Sequence, residues 1–243
     1  MKWIHTHSWP TTKSAAYDLE ESRLALLSPE EPLPQPKVLA AVEATYGHGA
    51  ESIFAAAAVM SYPELEPIER TLCHLPVDFP YIPGLFYYRE GPVMVEVLRK
   101  LTHQPDVILV SGHGRAHPRR LGLACQIGIS FDTPTIGCAR RLLIGRHQPV
   151  GETRGNMETI VHRGDTIGVA YRSKDSVKPI FISAGHRSDT DTAAATIART
   201  INGFRLPEPL RLVHNLANRH KRNVEKSPQQ KAGSSDESRK DLP

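Results

Sequence analysis

Residues 111–120 read Ser-Gly-His-Gly-Arg-Ala-His-Pro-Arg-Arg, and they directly follow the apolar run Val107-Ile108-Leu109-Val110. Four apolar residues bounded by polar sequence have the character of a buried parallel strand. Ligand sites in open α/β sheets collect at the carboxyl ends of such strands. The glycines, histidines and arginines gathered there suit an anion, because guanidinium groups match phosphate oxygens in geometry and charge. A second candidate is Pro80-Tyr81-Ile82-Pro83-Gly84. Prolines on both sides of Tyr81 stiffen the loop, so it can present an aromatic ring at small entropic cost. The alternative for the same residues is a rigid connector with Tyr81 packed on the core.

The elements that must position these segments follow from hydrophobic periodicity. Residues 15–27 carry Ala16, Leu19, Leu24 and Leu27 at helical spacing, and Ser28-Pro29 then stops the helix. Strands are expected to start at Val38, to run from Ile53 to Met60, and from Ile68 to Leu75, as an antiparallel meander. A helix over 91–101, the strand 107–110, a short helix over 121–129, a strand around Thr135-Ile136, strands over 167–171 and 179–183, and a helix over 190–201 follow. This order predicts an α/β fold with a mixed sheet. Residues 1–36 form an amino-terminal helix and linker packed on the core, 37–216 the main domain, and 217–243 a disordered basic and polar tail.

Composition narrows the setting without fixing the chemistry. With 243 residues and a net charge of +4, the chain can bury a full core and tolerates a polyanionic partner without demanding one. Cys73, Cys125 and Cys138 are widely spaced and odd in number, which argues against a disulfide framework and a structural zinc site and favours the reducing cytoplasm. No stretch approaches the roughly 20 apolar residues of a membrane span. A monomer is the default expectation.

Five blocks together resemble the endonuclease V family, whose members recognise inosine in nucleic acid. They are residues 80–84 with Tyr88-Arg89-Glu90, residues 112–122, Thr135-Ile136-Gly137, Gly185-His186-Arg187, and Arg205-Leu206-Pro207-Glu208-Pro209. The resemblance implies a ribonuclease H-like fold and makes Pro80, Tyr81, Ile82, Pro83 and Gly84 a wedge that enters the duplex beside the lesion. It also implies that Gly112, His113, Gly114 and Gly137 border the extruded base, where glycine leaves room. His117, Arg119 and Arg120 would hold the phosphate backbone or orient the loop, and Arg140 would contact phosphate.

The same resemblance implies a catalytic centre of Glu43, Glu90, Ser111 and His186, with Asp191 supporting His186; Asp189 could reach the same region, but its position before a helix suits an amino-terminal cap. Metal-assisted hydrolysis calls for hard oxygen ligands, so Mg²⁺ (with Mn²⁺ as a substitute) would be held by Glu90 and, more weakly, Glu43. The family has aspartates at the positions of Glu43 and Ser111. A longer carboxylate at the first and a neutral hydroxyl at the second reduce the charge available to a cation. Three functions are therefore open: an inosine-directed nuclease acting on DNA or RNA, a binding homologue impaired in cleavage, and a family-derived enzyme with another, metal-independent reaction.

Overall fold

The computed structural model describes residues 1–233. One mixed sheet of eight strands forms the centre, in the order β3-β2-β1-β4-β5-β8-β7-β6. Its strands are β1 (Val38–Tyr46), β2 (Ser52–Ser61), β3 (Pro67–Pro76), β4 (Val107–Ser111), β5 (Thr135–Ala139), β6 (Met157–His162), β7 (Asp165–Tyr171) and β8 (Ile180–Ala184). The helices are α1 (Lys13–Leu24), α2 (Phe86–Arg99), α3 (Leu123–Phe131), α4 (Thr190–Arg199) and α5 (Glu208–Gly233). The meander β1-β2-β3 is antiparallel, β1-β4-β5 is parallel, and β8 returns antiparallel to β5. This is the mixed α/β architecture expected from the order of elements.

Strand alternation divides the core into two layers. Ala40, Val42, Ile108 and Val110 face α2 and α3, whereas Leu39, Ala41, Val107 and Leu109 face α4 and α5. Successive side chains of a strand point to opposite faces, so a strand covered on both sides must be apolar throughout. The alanines at 55–58 of β2 keep both faces shallow where α2 and α5 cross.

Three elements depart from expectation. Helix α2 begins at Phe86 and carries Pro92 in its interior, because Tyr87 and Tyr88 are buried and hold the first turn in the core. Strand β6 was not foreseen; it pairs with β7 through a tight turn at Arg163-Gly164, both at positive φ (56° and 91°), as two-residue hairpins prefer. The tail expected to be disordered from residue 217 is instead helical, since α5 runs to Gly233. Ala217 is fully buried, and Glu225 Oε1 accepts from the His48 backbone N–H at 2.8 Å, tying the helix to the β1–β2 turn. Residues 234–243 of that tail lie outside the described residues.

Helix α1 docks differently from its apolar pattern. Leu24 is 44 % exposed, and the buried residues of the helix are Ala16, Glu20 and Arg23. Arg23 Nη2 donates to the Gln126 carbonyl at 2.8 Å and to Ser130 Oγ at 2.9 Å. The helix is thus held by charged side chains, Arg23 finding its partners on α3 and Glu20 pairing with Arg119 ahead of it, which offsets burial that would be costly if unpaired. Among the described residues, no helix is long and apolar enough to cross a membrane.

Candidate active site

Parallel pairing of β1 with β4 aligns Val42 with Val110, so Glu43 and Ser111 follow at adjacent strand ends. Glu43 shares the parity of Leu39 and Ala41 and therefore faces α5. There His214 Nδ1 donates to Glu43 Oε1 at 2.8 Å, and Arg140 Nη2 donates to the same oxygen at 3.0 Å. Arg140 was expected on phosphate; it is engaged first with this carboxylate. Glu43 is 6 % exposed, and its other oxygen, Oε2, is buried without a hydrogen-bond partner.

Glu90 reaches the same region from α2. Burial pushes its carboxyl up to about 8; the Tyr46 hydroxyl and Arg89 oppose the shift, and the charge of Glu43 reinforces it. A buried carboxyl that holds its proton beside a second carboxylate suits a bound cation, which would replace the proton. Mg²⁺ is commonly held by one or two carboxylates, waters and substrate phosphate. Glu43 Oε2 and Glu90 fit that donor set. No third acid joins them, and among the described residues no group of three or more His, Cys, Asp or Glu side chains is placed to hold a metal. Ser111 supplies only a hydroxyl.

A cavity of about 230 Å³ opens beside Glu90 and Ser111, walled by Tyr81, Gly84, His113 and Leu143. That is smaller than the roughly 300–1,000 Å³ of sites for drug-sized ligands, a scale that suits one ring system. Tyr81 is 65 % exposed and meets Phe86 edge-on at 5.7 Å, so it is not the core-packed connector that its loop permitted. His113 donates from Nε2 to the Arg141 carbonyl at 2.9 Å, and burial lowers its pKa, which keeps the ring neutral.

The basic residues after this loop brace the protein. Arg119 Nη2 donates to the Gly84 carbonyl at 2.9 Å, and Arg119 Nε pairs with Glu20 at 2.5 Å. His117 is buried, with its pKa lowered to about 4 by burial and by Arg119. Arg120 pairs with Asp165 at 2.9 Å. Of the two roles expected for these three residues, loop orientation describes the contacts they make. Gly114 also has a packing reason: a Cβ there would lie 2.0 Å from the Ala184 carbonyl oxygen, so the loop could not lie against β8. A Cβ on Gly137 would meet the Gly114 nitrogen at 2.4 Å. Both glycines serve the approach of loop to sheet.

His186 does not join Glu43 and Glu90. Antiparallel pairing of β8 with β5 sets Ala184 opposite Ile136, and the His186 backbone N–H donates to Thr135 Oγ1 at 2.9 Å, at the start of β5. Ser111 pairs with Cys138 near the strand's other end. His186 Nε2 instead donates to Asp132 at 3.1 Å, while Nδ1 accepts from the Ser28 N–H at 3.3 Å. Its carboxylate partner is Asp132, where Asp191 was expected. Asp189 does cap α4, accepting from the Thr192 N–H at 2.7 Å. Cys138 is buried, with its thiol pushed up to about 12 by burial, which leaves it inert as a nucleophile.

The histidine that meets Glu43 is His214, which the sequence reading missed. A usable signal existed: Pro209 near a helix start, Leu210, Val213 and Ala217 at helical spacing, and a histidine beside that apolar stripe.

The site and fold have relatives. A sequence model described as Endonuclease V matches residues 22–215. Endonuclease V of Nostoc punctiforme is 38 % identical over 218 residues, covering 89 % of this chain and 99 % of the relative. The crystal structure of the endonuclease V of Streptomyces avermitilis is 32 % identical with a TM-score of 0.85, covering 90 % of this chain and 96 % of that one. An endonuclease V of Ciona intestinalis, solved in complex with a 23mer DNA containing an inosine, is 23 % identical and shares the fold at a TM-score of 0.74, covering 88 % of this chain and 99 % of that one. Sequence and fold together establish that this chain belongs to the endonuclease V family.

Proposed function

We propose that this protein recognises inosine in DNA or RNA and hydrolyses a phosphodiester on the 3′ side of the lesion, with Mg²⁺ or Mn²⁺ as cofactor. The observation that carries this reading is the buried acid pair Glu43 and Glu90 beside a cavity of one-ring scale whose rim bears the exposed Tyr81. The family relatives, and the inosine-containing DNA bound by the Ciona protein, accord with it. Free, buried Cys73, Cys125 and Cys138 accord with a reducing cytoplasm.

Tyr81 enters the stack in place of the extruded base, and the cavity behind it receives that base. Glu43 Oε2 and Glu90 would hold the divalent cation, which would supply a lowered pKa for an attacking water and offset charge on the phosphate. Glu43 Oε1 fixes His214 with its proton on Nδ1, and Nε2, which meets the Asn218 amide nitrogen at 3.3 Å, is the nitrogen that exchanges a proton with water or the leaving oxygen. Arg140 neutralises part of the charge on Glu43 and offers its guanidinium to the phosphate that develops charge. Ser111 adds no charge, so a bound cation would draw more of its ligands from the substrate phosphate here than in a centre with three acids.

The test is incubation of the protein with matched oligonucleotides, with or without a single inosine, in Mg²⁺ or Mn²⁺. Cleavage 3′ to inosine that depends on the cation supports the reading. Tight inosine binding without cleavage in either cation overturns the catalytic part, and no preference for inosine overturns recognition.

A further inference from the structure

Glu20 belongs to α1, outside the residues matched by the family model, and none of the sequence motifs above includes it. It is nevertheless 4 % exposed and forms part of the wall of the cavity that holds Tyr81 and Gly84 on its rim. A carboxylate so buried needs a reason, because Asp and Glu are almost never fully buried unless paired. Its partner is Arg119, at 2.5 Å from Nε. Arg119 in turn donates from Nη2 to the Gly84 carbonyl at 2.9 Å. Tyr17, three residues before Glu20 and so on the same side of α1, lies under the same guanidinium at 4.6 Å from ring centroid to Cζ.

Arg119 is therefore ion-paired on one side with α1 and donates from Nη2 to the last residue of the Tyr81 loop. Gly84 has φ of 82°, a left-handed conformation that ends the loop sharply, and the carbonyl anchored there fixes where the loop turns into α2. A planar guanidinium has its donors in a rigid fork, so fixing Nε with a carboxylate also fixes the direction of Nη2. Resting on the inosine-recognition reading above, we propose that Glu20 is a positioning residue of the base pocket, acting through Arg119 to hold the Tyr81 loop in the geometry that discriminates inosine. The amino-terminal helix is thus part of the recognition apparatus rather than only a cover on α3. Its unusual way of docking, by Glu20 and Arg23 and not by an apolar face, accords with that assignment.

The test is a double-mutant cycle on the full chain with Glu20→Ala, Arg119→Ala and the pair, plus Glu20→Gln as the conservative variant. Two readouts are taken: the ratio of affinities for an inosine-containing strand and its adenosine counterpart, and amide hydrogen exchange across residues 80–85. Each single alanine variant is expected to lower the inosine preference roughly tenfold, and the double variant no further, since residues acting as one unit are non-additive. Glu20→Gln, which keeps an acceptor oxygen, is expected to restore part of the preference. Exchange should rise in residues 80–85 in both single variants while α1 stays protected, which separates loop positioning from a loss of folding. Additive losses, or an unchanged ratio and unchanged exchange in Glu20→Ala, overturn the proposal. If the wild-type protein shows no inosine preference, the recognition reading fails; coupled exchange changes in that case still uphold the Glu20–Arg119 positioning link, and uncoupled ones overturn it too.

Discussion

Two histidine–carboxylate pairs sit at opposite ends of strand β5 and its neighbours. His214 meets Glu43 at 2.8 Å and His186 meets Asp132 at 3.1 Å, so distance alone does not tell them apart. Their surroundings do. Glu43 has an unpartnered buried oxygen, a second acid in Glu90 and a cavity alongside. Asp132 is a helix C-cap at φ 47° that also meets Arg187 at 3.2 Å, and His186 spends its other nitrogen on the backbone of Ser28. The first pair leaves a buried carboxylate oxygen unspent, whereas both nitrogens of His186 are engaged within the fold. His186 ties a linker to the core, whereas His214, one-third exposed and with Nε2 meeting the Asn218 amide nitrogen at 3.3 Å, lies beside the acids where it can exchange protons.

The comparison is broken most forcefully at Glu90, the group that the far pair lacks. Glu90→Gln removes the carboxylate proposed to hold the cation while keeping the shape, and should lower cleavage by roughly 10²–10³-fold, in the range of other losses of transition-state charge stabilisation. Measurement of single-turnover rates checks this; a loss under tenfold would leave the two pairs equivalent.

Adding charge at Ser111 sharpens the same contrast from the other side. Ser111→Asp should tighten Mn²⁺ binding about tenfold or more, because affinity follows the ligand charge of the site. Calorimetry on the protein without nucleic acid reads this independently of activity. An unchanged affinity would mean that the cation sits elsewhere.

The acid pair also carries a pH signature when a chelator is present. In the unfolded chain Glu90 releases its proton near 4.5, whereas in the folded protein burial holds it to about 8. Between those values the folded state binds more protons, so this contribution to stability is full below pH 4.5 and is lost as pH rises through about 8. Denaturant midpoints should fall across that window, and Glu90→Gln should flatten the fall. The smallest effect is expected at the far pair. His186→Ala leaves Asp132 and the Ser28 N–H without their partner, at a cost of about 1–3 kcal/mol. A shift of a few degrees in melting temperature is the corresponding observation, by roughly 2–4 °C per kcal/mol for a chain of this size.

How far the sequence could be read follows the same division. The strand ends, the Tyr81 loop and the order of the sheet were legible, because apolar runs, bracketing prolines and glycines are local signals. Glu90 was legible through its motif. His214 was not: its helix starts within a Pro-Glu-Pro stretch, and only Leu210, Val213 and Ala217 mark its buried stripe before the composition becomes polar. His186 was misplaced for a topological reason. Its motif is local, but the antiparallel return of β8 that carries it to the far end of β5 is a long-range pairing. Glu20 escaped notice because a buried carboxylate within a helix of exposed charges looks like a solvated residue until its partner, 99 positions away, is in place.

The most direct test of the central claim is the rate of inosine-dependent cleavage by His214→Ala and His186→Ala, measured side by side in Mn²⁺ below both melting temperatures. Loss of a positioned proton-transfer group predicts a fall of roughly 10²–10⁴-fold for His214→Ala, with His186→Ala retaining the wild-type rate. The opposite ranking, or equal losses, would contradict the assignment of the cutting centre to Glu43, Glu90 and His214.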